Sequence, residues 1–206
     1  MSLKGTLISL KPIPIYYESD SYRLTKKELD FIKKIEYYQA RERGLFISTS
    51  VSLLNNKEVK GLRNFIIDKA NTYVKEVLEI KNKIYLTQSW STLNKQHGYH
   101  SVHYHPNTFI SLVYYVKAEK GSLYFDVRRS SLQEGFIFDY SIIKYNVFNS
   151  ERWTIHIGGG DIVIFPGHVC HGSNQNESTE PRITMGANFF LKGKIGREDR
   201  ISNIKI

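Results

Sequence analysis

The sequence predicts a mainly β protein whose strands close as a sandwich or jelly roll backed by helices near the N-terminus. Three observations carry this. From residue 84 onward, short β-branched or aromatic runs alternate with turns rich in Gly, Asn or Lys, at 84–93, 109–117, 123–127, 153–157, 161–166 and 183–191. Before them, residues 57–80 repeat apolar side chains at three- and four-residue steps, the period of a helix with one buried face. The 14 Tyr and 11 Phe in 206 residues also favour strands. Helices first and many short strands after read as one domain over 1–206, with a helical portion at about 20–80 and a jelly-roll core at about 84–191.

In chain order, residues 6–18 are apolar and β-prone but hold Pro12 and Pro14, which remove ladder donors. That predicts an edge strand or an extended lead-in. Thr25-Lys26-Lys27-Glu28 is a capping box, and the helix it opens would carry Leu29, Ile32 and Ile35 on one face and end near Ala40. Residues 44–54 read as irregular chain or a short strand. The next helix carries a stripe of Val59, Leu62, Ile66, Ala70, Tyr73, Val77 and Leu78, with charges opposite, which is the pattern of packing rather than of a site. The segment 128–152 has no clear period and reads as a lid or insertion. Gly158-Gly159-Gly160 is followed by no helix start, so it reads as a turn and not a phosphate loop.

Bulk properties exclude several classes. Hydrophobic residues make up 41% and charged residues 24%, ordinary values for a soluble globular chain. No apolar run approaches the ~18 residues that span a bilayer. Residues Met1 to Gly5 have the pattern of neither a signal nor a transit peptide. Cys170 is alone and has no disulfide partner within the chain, which points to a reducing, cytoplasmic compartment. The formal charge is +9, but its Lys and Arg residues are dispersed from Lys4 to Lys205, and the densest run, 192–200, contains Glu198 and Asp199. Dispersed charge is a solvated surface, so nucleic acid is a disfavoured partner. A small-molecule or protein substrate fits better, and a homodimer is compatible with the chain.

Chemistry concentrates in the histidines. Four of the seven lie between Gln96 and His105, and His168 and His171 share a later segment. On an extended chain His103 and His105 point to one face, half of a transition-metal site. The run Gly160-Asp161-Ile162-Val163-Ile164-Phe165-Pro166 reads as a strand ended by proline, and His171 follows where a jelly roll can offer a third ligand. Arg182 opens an apolar strand, an odd place for a surface charge. Pointing inward, it would be a carboxylate clamp, with the Thr184 hydroxyl on the same face. Asn94, Ser89 and Thr92 could line the pocket, and one of Tyr114 and Tyr115 would face the cavity while the other enters the core. Trp90 reads as core, His168 as surface or support, and Cys170 beside His171 is by adjacency alone no nucleophile.

The motifs Trp90-x3-Asn94, Gly98, His103-x-His105-Pro106-Asn107, Ser111-x2-Tyr114-Tyr115-Val116, Gly121-x-Leu123-x-Phe125-Asp126, Phe165-Pro166-x4-His171 and Arg182-Ile183 resemble the iron(II)- and 2-oxoglutarate-dependent oxygenases found in marine bacteria and cyanophages. The resemblance spans 84–191. It implies a double-stranded β-helix, iron(II) at His103, His105 and His171, and 2-oxoglutarate held by Arg182 with Thr184, Tyr114 and Asn94 nearby. It also implies a hydroxylase of unstated substrate. One departure stands out: the wider superfamily uses His-x-Asp/Glu, and here the second position is His105, with Asp126 a lesser candidate for a carboxylate. Cupins share the His-x-His and the Gly160, Pro166, His171 spacing, so a cupin-like metal-binding jelly roll is the alternative. The glutamate expected after the pair is missing there, since Phe109 and Ile110 stand in its place, and cupins have no use for Arg182.

Overall fold

The computed structural model describes residues 12–119, 121–126, 141–196, 199 and 202–206. The expected lead-in is therefore seen only from Pro12, and most of the segment read as a lid or insertion lies outside the described residues.

The helical layer comes from the N-terminal part of the chain. Helix α1 (Lys26–Ile32) follows a short strand β1 (Tyr16–Glu18) and starts on the expected capping box: the Thr25 hydroxyl accepts from the Glu28 N–H, and the Glu28 carboxylate accepts from the Thr25 N–H. The same carboxylate accepts the Leu62 N–H at 2.7 Å, in the first turn of helix α2 (Lys60–Thr72). One buried acid thus serves two helix starts. Burial works against its ionisation, but the hydrogen bonds from Thr25, Leu62 and Tyr22 win and hold the Glu28 carboxyl below its ordinary value.

Helix α1 ends at Ile32, well short of Ala40. Residues Tyr37–Gln39 instead form β2, paired antiparallel with β3 (Leu45–Ser48). The tyrosines there are good strand residues, and the Tyr37 hydroxyl bonds the Ser91 hydroxyl at 2.8 Å, a tertiary contact that local helical periodicity cannot see. The stripe along α2 is buried as expected from Val59 to Tyr73, but Val77 is exposed and Val74 is buried in its stead. A π-helical stretch, Tyr73–Val77, lies at this point, and its wider turn changes which side chains face the core.

The remaining strands of the two larger sheets are β4 (Lys83–Asn94), β5 (His100–His103), β6 (Ile110–Lys117), β7 (Gly121–Asp126), β8 (Arg152–Ile157), β9 (Ile162–Pro166), β10 (His171–Ser173) and β11 (Arg182–Lys192), and Lys194–Ile195 pairs with Ile204–Lys205 as a separate ribbon. Among the described residues the strands of the larger sheets form a seven-stranded sheet in the order β1-β9-β6-β11-β4-β3-β2, and a four-stranded sheet in the order β5-β10-β7-β8. All their pairings are antiparallel, and the two sheets face each other as a jelly roll.

The pleat of the large sheet divides its side chains between two cores. Ile183, Met185, Ala187 and Phe189 of β11 alternate outward. All four join Leu62, Ile66 and Ala70 of α2 and Ile110 and Leu112 of β6 in the helix-side cluster. Burying each large aliphatic chain there contributes roughly 1.5–3 kcal/mol. The other face meets the small sheet, where Tyr115, Val163 and Phe165 pack on Leu123, Phe125 and Ile157. Arg182, Thr184, Gly186 and Asn188 lie on that inner side of β11. No helix of the described residues is long and apolar enough to cross a membrane.

A candidate metal and cosubstrate site between the sheets

Register brings the distant histidines together. On the small sheet His171 of β10 pairs directly with His103 of β5. His105 follows two residues past the end of β5, its N–H bonded to the Gly167 carbonyl at 2.9 Å. The ligating nitrogens of His103, His105 and His171 all lie within 4.8 Å of one another. Their rings stand 4.3 to 5.2 Å apart by centroid, as three blades facing one point.

Two of the three rings have their tautomer fixed. His103 Nδ1 lies 2.8 Å from the Ser101 carbonyl, and His171 Nδ1 lies 2.9 Å from the Val169 carbonyl. A carbonyl only accepts, so each Nδ1 carries the hydrogen and each Nε2 keeps its lone pair for a metal. His105 is held instead by the Trp90 indole, 5.4 Å away by centroid. That indole lies flat against Gly186, where a Cβ would come within 2.6 Å of its ring, so β11 needs a glycine at this point. Phe165 and Phe125 wall His171. Burial among such groups pushes all three imidazoles toward the neutral form: His105 falls to about 4, and His103 and His171 also fall below the ordinary value. Neutral, oriented and convergent imidazoles fit a divalent transition metal.

Arg182 supplies the other half. It is 2% exposed, and its Nη2 donates to the Ser173 hydroxyl at 2.8 Å and to the Asn174 carbonyl at 3.0 Å. Its Nη1 is buried with no partner among the described residues. A buried guanidinium nitrogen without an acceptor is costly unless a ligand supplies one, and a carboxylate matches its geometry. Asn94, the cross-strand neighbour of Arg182, also has a buried, unpartnered side-chain oxygen. One strand step along, the Thr184 and Thr92 hydroxyls bond each other at 2.6 Å, and Tyr115 pairs with Thr184 from the other side. Arg182, Asn94, Thr184, Thr92 and Tyr115 thus form a polar, buried group on the inner face, where Arg182 could accept a carboxylate.

Tyr114 does not belong to this group. It pairs with Met185 on the helix side, and its hydroxyl donates to the Tyr22 carbonyl at 2.9 Å. Tyr115 takes the place expected of it. Ser89 is structural, its hydroxyl accepting the Leu54 N–H at 2.9 Å, and His168 is exposed. Asp126 pairs with Arg152 at 3.5 Å and is not among the convergent ligands. Trp90, read as core, is half-buried and stands beside His105 at the site.

His100 is the residue that sequence reasoning passed over. Its ring stacks on His103 with centroids 3.9 Å apart and planes at 24°. Residues three apart on a regular strand face opposite ways. Here Ser101 and Val102 together lie opposite the single Gly172, a β-bulge that turns His100 inward. Burial, then the neighbouring His103, lower its pKa to about 3. The crowding of histidines from 97 to 105 was the visible signal; the bulge was not.

Comparison with known proteins agrees with this geometry. Residues 88–188 match the profile of a family described as "Putative 2OG-Fe(II) oxygenase". No curated protein matches the chain by sequence. Among solved structures, HygX from Streptomyces hygroscopicus, with nickel, 2-oxoglutarate and hygromycin B bound, is similar with a TM-score of 0.58 at 9% identity, covering 86% of this chain and 82% of that one. The non-heme alpha-ketoglutarate-dependent carbocyclase SnoK from nogalamycin biosynthesis gives 0.61 at 11% identity, over 88% and 81%. The epimerase SnoN from the same biosynthesis gives 0.58 at 13%, over 86% and 78%. At these identities the structural likeness is one of fold, and the fold is the expected double-stranded β-helix. The matched residues include His103, His105, His171 and Arg182. The chain is accordingly a 2OG-Fe(II) oxygenase, a non-haem iron enzyme that takes 2-oxoglutarate as cosubstrate.

Proposed function

We propose that this oxygenase is a hydroxylase, with His103, His105 and His171 as metal ligands and Arg182, Thr184 and Asn94 as the cosubstrate pocket. The observation that carries the reading is the unpartnered Nη1 of buried Arg182, on the inner face beside three convergent neutral imidazoles. A cupin-like metal-binding module would have no need of that orphaned donor.

When bound, iron(II) and 2-oxoglutarate supply the oxygen chemistry: dioxygen, 2-oxoglutarate and a substrate C–H become succinate, carbon dioxide and C–OH. The chain's own residues prepare for it. His103, His105 and His171 stay neutral because burial disfavours their protonation, so their lone pairs remain available at neutral pH. Arg182 is preoriented by Ser173 and Asn174, leaving Nη1 to donate to the distal carboxylate. The Thr184 and Thr92 pair uses one of its two hydroxyl hydrogens internally and has the other to donate. Trp90, Phe165 and Phe125 keep water from the faces of the imidazoles. On the motifs quoted above we place the chain with the oxygenases of marine bacteria and cyanophages, working in the cytoplasm as one domain on a small-molecule or protein substrate.

The test is anaerobic titration with iron(II) and then 2-oxoglutarate, following the visible charge-transfer band of the chelated cosubstrate. The band is expected in the wild type and absent in His171→Ala and Arg182→Ala, the latter with at least about a hundredfold weaker cosubstrate binding. Metal binding without the band would favour the cupin-like module. No metal binding would remove both readings.

A further inference from the structure

Three neutral imidazoles bring no charge to a divalent ion, whereas a His-x-Asp/Glu pair would offset one of its two units. A carboxylate does reach this site, from another part of the chain. Glu42 stands in the tip of the β2–β3 hairpin, and its Oε1 accepts a hydrogen bond from the Ser101 hydroxyl. Ser101 lies in the bulge of β5, and its carbonyl is the acceptor that fixes His103 Nδ1 at 2.8 Å. One residue before it, His100 stacks its ring on His103. The Glu42 carboxylate is thus one hydrogen bond from the residue whose carbonyl orients His103.

The hairpin tip is built to reach this position. Gly44 has φ +76°, and a Cβ there would meet Gly98 Cα at 2.9 Å. A Cβ on Gly98 would meet the Gly44 carbonyl oxygen at 2.4 Å, and that oxygen accepts the Lys95 N–H at 2.9 Å. Two backbones cross in contact, glycine on glycine, and lay residues 40–44 over the start of β5. Glu42 is half-buried there, between exposed Arg41 and Arg43.

We propose that Glu42 is the counter-charge of the three-histidine site, a positioning residue that acts through Ser101 and His100 on His103 and restores the negative charge that His105 does not supply. The proposal rests on the reading of His103, His105 and His171 as the metal site. A negative charge beside neutral ligands favours a bound cation, and favours its oxidised state more.

The experiment compares Glu42→Gln with the wild type in the full chain. Gln keeps an oxygen for the Ser101 hydroxyl and removes only the charge. Iron(II) affinity is measured anaerobically by competition with a chromophoric chelator, and the iron(III)/iron(II) potential by redox titration. Glu42→Gln is expected to bind iron(II) about tenfold more weakly and to show a more positive potential, as outer-layer changes at metal sites do. Glu42→Asp, which keeps the charge, should recover most of both. Unchanged affinity and potential in Glu42→Gln would overturn the proposal, as would equal impairment in Glu42→Gln and Glu42→Asp, which would show that only the shape of the contact matters. If the wild type bound no iron, or His171→Ala bound it equally well, the site reading itself would fall and take the proposal with it.

Discussion

The two faces of strand β11 were cut from one stretch of sequence and do opposite work. Outward go Ile183, Met185, Ala187 and Phe189, into an aliphatic cluster with helix α2. Inward go Arg182, Thr184, Gly186 and Asn188, toward histidines, hydroxyls and an indole. The outer side is satisfied: its groups need only be apolar and of the right volume. The inner side is held short of satisfaction, with Arg182 Nη1 and Asn94 Oδ1 buried and without a partner among the described residues. Stability and function are separated here by a single step of the pleat, so each face should be breakable without the other.

The largest effect should come from the outer side. Ile66→Ala removes a fully buried side chain from the helix-side cluster and should cost about 2–5 kcal/mol in chemical denaturation. The fraction that remains folded should bind metal with wild-type affinity; a parallel loss of affinity would mean that the faces are coupled. Gly186→Ala should come next, and it crosses the boundary. A methyl group driven to 2.6 Å from the Trp90 ring costs about 1–3 kcal/mol in overpacking and pushes the indole toward His105. Lower thermal stability should therefore appear together with altered tryptophan fluorescence and weaker metal binding.

The pH dependence of the metal-free protein probes the inner side directly. His100 and His105 titrate in the fold at about 3 and about 4, against an ordinary value of 6.5. The unfolded chain therefore binds more protons, and stability rises with pH across that window. Their contribution is complete above about 6.5 and is lost as pH falls toward 4 and then 3. A series of melting temperatures over this range should slope downward on acidification, and His105→Phe should flatten the slope. An unchanged slope would mean that the pocket admits water freely.

Much of this was legible in the sequence. The strands from residue 84 onward announced themselves through alternation and turn residues, and the capping box placed the start of α1 at Thr25. His171 and Arg182 stand out in the sequence because a proline-ended strand and a lone charge on an apolar strand are local oddities, and the fold buries both. What was illegible depended on pairing. The phase of the pleat in β6 is set by its register against β11, which has an irregularity between Ile183 and Thr184, so the sequence does not show that Tyr114 faces the helices and Tyr115 the inner side. The end of α1 was missed because β2 exists only as a partner of β3. His100 needed a bulge to turn it, and Glu42 needed two crossing glycines to carry it across from the N-terminal hairpin.

Among the described residues, strand β5 lies at the outer margin of the four-stranded sheet and pairs only with the three-residue β10. It carries His103, and His105 follows it, so a metal bound also by His171 would act as a clasp on the most weakly held strand of the small sheet. The free energy of metal binding adds to the stability of the folded state and would be felt first at this margin. Amide hydrogens of β5 should then exchange rapidly in the stripped protein and slowly once it is loaded. Iron supply would govern more than turnover, because an uncovered margin of sheet is where one molecule can begin to pair with the next.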